Sequence, residues 1–448
     1  MNHMEITVIG AGIVGLTTAW YLQRDGHQVT VIDRRTAVGQ GASMANGGQL
    51  SYRYVAPLAD PDILAKIPGW MLRRDAPVRF RPRFDPAQWQ WIMRFLQACN
   101  GNDKMRSVAA LLPLSLYSQR LIHDLVNHDG FEFDYRQNGK LILHRDRKSF
   151  EAARRLLEAR PELSGQQLSI GRDACLALEP SLSGIADSIA GGIHTASEET
   201  GDCYKLCQAL EARLRTGPMP VCFRLGEEVS GFEVNDGILG AVMTRSGRIR
   251  GDACVLAGGA EVARLLVPLG IRVPVYPLKG YSISLSIDNP DNVPEASVTD
   301  YQRKIVYARL GNRLRIAGMA DIVGFDDGIP ADRVAGLLRE TSETFGEGVD
   351  LSTVEPWAGL RPATPTGRPV VDRSPIPNLW LNVGHGALGF TLAAGCAGLI
   401  ADKIGGRQCA VPAADFELAR STPSGWGVFR GRRAACPAPG LSTTDSAA

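Results

Sequence analysis

Apolar positions alternate along residues 6–9, break over Gly10-Ala11-Gly12-Ile13-Val14-Gly15, and resume with helical spacing to Asp25-Gly26. A second alternating run, 28–32, ends at Asp33. The pattern predicts strand, glycine-rich turn, helix, strand and acid, in that order. The expected elements then become less regular. Residues 39–49 form a long loop of small residues, and 56–84 are rich in Pro, Trp and Arg. Asp85-Pro86 predicts a capped helix start running to about residue 100. Helical spacing continues over 109–128, 150–159 and 202–216. Strands are expected at 227–229, 238–243 and 252–259, with Asn235-Asp236-Gly237 as a hairpin turn. Two further β stretches cover 274–286 and 304–319. A late strand, 379–383, runs into Gly384-His385-Gly386 and a helix from about Leu388 to Ile404. There are no internal repeats.

The opening pattern carries the first chemistry. Gly10 permits a tight turn, Gly12 lets backbone approach a pyrophosphate, and Gly15 lets the helix pack close to the sheet. The helix N-terminus offers free N–H groups and partial positive charge to a phosphate. Asp33 lies 18 residues beyond Gly15, where a carboxylate can accept from a ribose. Arg34 and Arg35 would suit a 2′-phosphate, but Asp33 at the strand end would repel one, so a free ribose is expected.

Composition excludes more than it selects. At 448 residues the chain is long enough for two or three domains. Its formal charge of +2 gives no reason to expect a nucleic-acid partner. Nine scattered cysteines with no Cys-x-x-Cys pair point to free thiols in a reducing compartment and to no metal site. The first strand starts by Ile6, too early for a signal peptide, so a cytoplasmic protein is expected. The uncharged stretch before 404 holds only about fourteen apolar helical residues, short of the roughly twenty that a bilayer needs, which predicts a buried helix. The tail beyond 421 reads as frayed.

Three strand–glycine elements, at 6–15, 252–259 and 379–389, are expected to converge on one sheet. An NAD enzyme would usually complete its sheet in one continuous block. This interrupted pattern resembles the FAD-dependent D-amino acid oxidase and glycine/sarcosine oxidase superfamily, within it the bacterial D-amino acid dehydrogenases of small-subunit type. The resemblance runs from residue 6 to about 415 and is carried by 43–49 (SMANGGQ), 199–203 (ETGDC), 275–282 (VYPLKGYS), 318–325 (GMADIVGF), 359–365 (GLRPATP) and 382–386 (NVGHG). It implies an α/β (α+β overall) fold: a discontinuous Rossmann-like FAD-binding domain at 1–56, 175–262 and 355–415, an inserted, mainly antiparallel β-sheet substrate domain at 57–174 and 263–354, and a flexible tail at 416–448.

By the same resemblance, Ser43, Ala45, Asn46, Gly47, Gly48 and Gln49 run past the pyrophosphate and the isoalloxazine ring. Val229 meets the adenine, and Ala257-Gly258 approach the ribityl–pyrophosphate region. Gly384, His385, Gly386, Leu388, Gly389, Phe390 and Thr391 cover the pyrimidine edge, where a helix start would offer positive charge to the reduced ring. Residues 355–373 contain neither Cys nor His, so non-covalent FAD is expected.

The implied reaction is oxidative deamination of a D-amino acid. Hydride passes from the substrate Cα to flavin N5, and electrons continue to a quinone. Arg361, matching the family's Gly-x-Arg-Pro arginine, is the expected carboxylate anchor, since a guanidinium binds carboxylates in bidentate fashion. Tyr281 supplies either a hydroxyl to the carboxylate or a pocket wall, and Tyr54 is a second tyrosine candidate. A strand tyrosine is as readily core packing. His385 contacts flavin or substrate, or is satisfied by backbone. Lys279 is either near the ring or at the surface. The segment 66–99 interleaves seven basic residues, against two acidic ones, with Trp70, Phe80, Phe84, Trp89, Trp91 and Phe95. It reads as a peripheral contact with anionic lipid on the inner face of the cell membrane, or equally as a domain bridge with solvated arginines. Two rival functions stay open. One is oxidation of a secondary amine (D-proline, hydroxyproline or sarcosine), or an oxygen-using oxidase, on the same scaffold. The other is a non-catalytic flavoprotein subunit, which would have no need of the 359–362 element.

Overall fold

The computed structural model describes residues 3–418, apart from 62, 65, 66, 68, 70–75 and 160–165. Lys66, Trp70, Arg73 and Arg74 of the basic–aromatic segment, and the tail from 419, lie outside the described residues.

The three strand–glycine elements do converge. Strand Glu5–Ile9 pairs in parallel with Gln28–Asp33 on one side and Ala253–Leu256 on the other, and Ala253–Leu256 pairs in parallel with Leu379–Val383. Cys222–Leu225 and antiparallel Val370–Arg373 complete a six-stranded sheet. Its central strands are buried, as expected of a parallel sheet covered on both faces. Helix Gly389–Ile404 packs between Ile13–Arg24 and Gly101–Asn127. Residues 390–401 are all buried, so its apolar character all round is that of a core helix, although with the turn before it, Gly386–Ile404, it is long and apolar enough to cross a membrane.

The second sheet runs in the order Val349–Ala363, Tyr276–Ile287, Arg313–Ile322, Ile305–Leu310, Ser297–Asp300, Lys140–His144, Gly191–Thr195, Leu168–Ile170, with Val78–Phe80 beside Arg313–Ile322. Most pairings are antiparallel; Ser297–Asp300 with Lys140–His144, and Val78–Phe80 with Arg313–Ile322, are parallel. Helix Ala331–Phe345 covers a core built on Tyr281, Ile283, Ile316 and Leu337.

Several elements differ from expectation. Gly191–Thr195 pairs with Lys140–His144, and Val349–Ala363 pairs with Tyr276–Ile287 on both sides of a bulge at 351–354. Boundaries at 175 and 355 therefore place strands of the larger sheet with the nucleotide unit, because strand partnership is set by residues far away in sequence. The helix expected from 109 starts at Gly101, where the Asn100 side chain accepts from Asp103 N at 2.9 Å, and it tolerates Pro113 within. The strand expected at 227–229 is Val229–Asn235, and Asp236 and Gly237 both take positive φ (51° and 77°), the geometry of a tight hairpin turn.

Candidate active site

The glycine-rich turn is built as its spacing requires. Gly10 has φ +112°, and a Cβ there would sit 2.6 Å from the Ala257 carbonyl oxygen, so this residue brings the first and the Ala253–Leu256 strand ends together. The following helix has no side-chain cap at Gly12 and opens into a cavity of about 1940 Å³. That volume exceeds the roughly 300–1,000 Å³ of a small-molecule pocket and suits a dinucleotide together with a small substrate. Gly10, Ala11, Gly12, Ile13 and Val14 line it with Asp33, Arg34, Val229, Ala257 and Gly258; Gly15 is packed behind the turn. Asp33 is already engaged: Oδ2 accepts from Ala11 N at 2.7 Å and Oδ1 from Arg35 N at 2.8 Å, so part of its capacity closes the turn. Arg34 pairs with Glu261 at 3.0 Å, which offsets the charge a 2′-phosphate would need.

The loop from Ser43 to Gln49 bridges the two sheets along this cavity. Ser43 Oγ accepts from Ile13 N at 3.1 Å and ties the loop to the helix start. The larger sheet holds the rest: Ser282 Oγ donates to the Ala45 carbonyl at 2.6 Å, Arg315 Nη1 to the Asn46 carbonyl at 2.9 Å, and Gln49 Nε2 to Ser297 Oγ at 3.1 Å. Gly47 and Gly48 lie between these anchors.

Opposite, Gly384 to Thr391 form the lining at a 3₁₀ turn and the uncapped start of helix Gly389–Ile404. His385 is buried, its Nε2 has no hydrogen-bond partner among the described residues, and burial pulls its pKa down to about 4. It is a neutral imidazole at physiological pH with one ring nitrogen free for a ligand. Asn382 Oδ1 is a second buried, unsatisfied atom on the cavity wall. Orphaned buried polar atoms of this kind are rare in a finished interior.

Arg361 lies on Val349–Ala363 with Leu278 as its cross-strand partner, and it faces the cavity. Nη1 donates to the Met319 carbonyl at 2.7 Å. Among the described residues no carboxylate pairs with it. Met319 takes φ +62°, an unusual conformation for a side chain of this size, and its carbonyl meets the guanidinium. Tyr281 also lines the cavity, but its hydroxyl donates to Asp321 Oδ2 at 2.8 Å, and Asp321 in turn pairs with buried Arg333. Its ring is wall; its hydroxyl is occupied. Tyr54 is on the cavity surface with its phenol pushed up to about 12 by burial. Lys279 is neither at the surface nor on the cavity lining: it is buried and pairs with Asp326 at 3.0 Å.

Two residues escaped the sequence reading. Lys140 lines the cavity, and Glu198 stands behind it. The available signal was a lysine opening a short strand, Lys140–His144, whose next three residues are apolar and of which every residue is buried.

Residues 5–403 match the family described as FAD dependent oxidoreductase (DAO). The chain is 49% identical over 405 residues to D-amino acid dehydrogenase 2 of Pseudomonas aeruginosa, covering 90% of this chain and 95% of that one. It is 46% identical to D-amino acid dehydrogenase 2 of Ralstonia nicotianae, covering 93% of this chain and all of the relative. Among solved structures it is similar to glycine oxidase from Geobacillus kaustophilus (TM-score 0.74, 21% identity, 94% of this chain and 99% of that one), a likeness of fold. L-proline dehydrogenase from P. horikoshii shares that fold at TM-score 0.70 and 18% identity, over 94% of this chain and 98% of the other. The cradle, the paired sheets and these matches agree, and the chain belongs to the DAO family of FAD-dependent oxidoreductases.

Proposed function

We propose that this enzyme deaminates D-amino acids oxidatively, giving a 2-oxo acid and ammonia. The observation that carries the reading is Arg361: a half-buried guanidinium on the cavity wall, held at one nitrogen by Met319 and forming no ion pair with a carboxylate among the described residues, the nearby Asp321 being committed to Arg333. A guanidinium stays charged under burial and needs a counter-ion, and a substrate carboxylate supplies one.

The residues present fit FAD. The Gly10–Gly15 turn offers backbone N–H groups to a pyrophosphate, and Asp33 stands at the ribose position. The uncapped start of Gly389–Ile404 supplies N–H donors and positive potential at one end of the cavity, and the free His385 Nε2 is a donor or an acceptor according to its tautomer. Bound FAD supplies the hydride acceptor for the substrate Cα–H, after which water hydrolyses the imine product. This chain's own part is positional: Arg361 orients the carboxylate, while the Tyr281 and Tyr54 rings limit where the side chain lies. Non-covalent attachment is part of the reading, and denaturation followed by filtration tests it: flavin retained with the protein overturns it.

The electron acceptor is a quinone in this reading. The relatives named above are called dehydrogenases. Helix Pro86–Ala98 is apolar on two sides: Trp91, Phe95 and Ala98 are buried, while Trp89, Met93 and Leu96 are exposed and Phe84 is fully so. With exposed Arg81 and Arg83 beside it, this face suits an anionic lipid surface. Flotation with anionic liposomes tests the contact; protein remaining at the bottom removes it.

The deciding experiment is anaerobic. D-alanine, and separately L-alanine, is added to the yellow protein while absorbance at about 450 nm is followed. Bleaching by the D-isomer alone is expected. Bleaching by sarcosine or D-proline but not D-alanine moves the function to secondary amines.

A further inference from the structure

Lys140 is 2% exposed. Nζ donates to Gln49 Oε1 at 2.6 Å and to Ser51 Oγ at 2.8 Å, and lies 5.1 Å from the centroid of the Tyr54 ring. Buried Glu198 provides the opposing charge, and its two carboxylate oxygens accept from the backbone N–H groups of Tyr52 and Arg53 at 2.6 Å each. One buried cation and one buried anion therefore touch Gln49, Ser51, Tyr52, Arg53 and Tyr54, the chain immediately after the glycine loop. Removing two charges from water is costly, and well-packed apolar side chains of similar volume often stabilise a fold as well or better. A buried charge pair is therefore weak evidence of a purely stabilising role. Lys140 also lies on the cavity wall.

We propose that Lys140 is a positioning residue for the flavin site, pinning the Gln49–Tyr54 segment against the inserted sheet and setting a positive potential where the ring is held. The inference rests on the reading that the loop from Ser43 to Gln49 runs along the isoalloxazine. A cation near the ring favours the negative charge that accumulates on reduction, and it acts strongly because the site is poorly hydrated. The charged and titratable groups facing Lys140 are Glu198 and Tyr54, with Arg53 beyond Glu198; its strand neighbours Thr195 and Ser297 are neutral. Burial pulls the ammonium below the usual lysine range and pushes the Glu198 carboxyl above the usual carboxylate range, and the charge of each opposes the shift of the other. The potential at the ring is therefore expected to fall at alkaline pH, as Lys140 loses its proton.

The test is sulfite titration of the oxidised holoenzyme across pH, since sulfite adds to flavin more readily the more positive the ring's surroundings, together with FAD content and flavin reduction potential. Lys140→Met is expected to keep FAD, to bind sulfite about tenfold more weakly, and to lose the alkaline inflection of the wild type. Lys140→Arg is expected to restore most of the affinity. A Lys140→Met protein with wild-type sulfite affinity and pH dependence overturns the proposal. Should that variant not fold, Glu198→Gln decides: loss of the anion lowers the lysine pKa, so the inflection must move towards neutrality, and an unmoved inflection overturns the proposal. Wild-type protein that holds FAD yet is reduced by no D-amino acid counts against the functional reading alone, because the sulfite comparison still decides Lys140.

Discussion

The Arg361 guanidinium lies over Gly280 of the neighbouring strand: a Cβ there would stand 2.2 Å from Cζ. The two residues are one device, since only the missing side chain lets the arginine lie back to the Met319 carbonyl. Gly280→Ala is expected to push the guanidinium away from Met319 without disturbing the nucleotide cradle. Flavin content should be normal, and half-saturating D-alanine in anaerobic reduction should rise at least as far as a conservative change at Arg361 itself. Unchanged substrate dependence would separate Gly280 from the site.

Arg361→Ala removes the cation and should weaken the hold on substrate by about 2–5 kcal/mol, the usual loss when one partner of a buried charge pair is truncated. Arg361→Lys should recover little, because a compact ammonium lacks the planar fork that grips a carboxylate in bidentate fashion while a separate nitrogen bonds Met319. Stopped-flow reduction against D-alanine concentration measures both, with FAD retained in each.

Tyr281→Phe separates wall from donor. The hydroxyl belongs to Asp321, so its loss leaves a buried carboxylate with one donor fewer and should cost about 1–3 kcal/mol of stability, read from urea midpoints. Substrate dependence should change little. A large rise in half-saturating substrate with unchanged stability would instead return the hydroxyl to the substrate.

Gly10→Ala should abolish FAD binding. The residue sits at φ +112° and the new methyl would collide with the Ala257 backbone, so the turn must open. Flavin fluorescence after gel filtration reports the loss, and a variant that elutes yellow contradicts the cradle.

Acid stability follows from His385 and His144, both held at about 4 by burial. Their folded pKa values lie below the unfolded value of about 6.5, so their contribution is complete above that pH. Below it the unfolded chain takes up protons that the folded chain refuses, and stability falls until about pH 4, by up to about 3 kcal/mol for each histidine. Thermal melts of apo-protein between pH 7.5 and 4.5 should show the decline, and His385→Asn should flatten part of it. A flat wild-type profile excludes the assignment.

Local chemistry is legible in the sequence. The turn at Gly10, the acid at Asp33, the capped start at Asp85 and the Asp236-Gly237 hairpin depend on backbone geometry within a few residues, and that geometry is written in residue type and spacing. The convergence of three separated strands on one sheet was also readable, because each strand ended in glycines before a helix. The candidate arginine could be named through its Gly-Leu-Arg-Pro setting.

Tertiary structure decided the rest. Gly191–Thr195 joined the larger sheet because its partner, Lys140–His144, lies about fifty residues earlier, and no local signal records such a pairing. The Tyr281 hydroxyl went to Asp321 and Lys279 to Asp326, since a side chain's partner depends on which strands become neighbours. Lys140 opens a short strand with no local signal of function, and is a cavity cation only because Gln49, Ser51 and Glu198 fold around it. Spacing along the chain determines how the backbone turns, whereas burial and charge pairing arise from contacts between distant segments, and those exist only in the assembled fold.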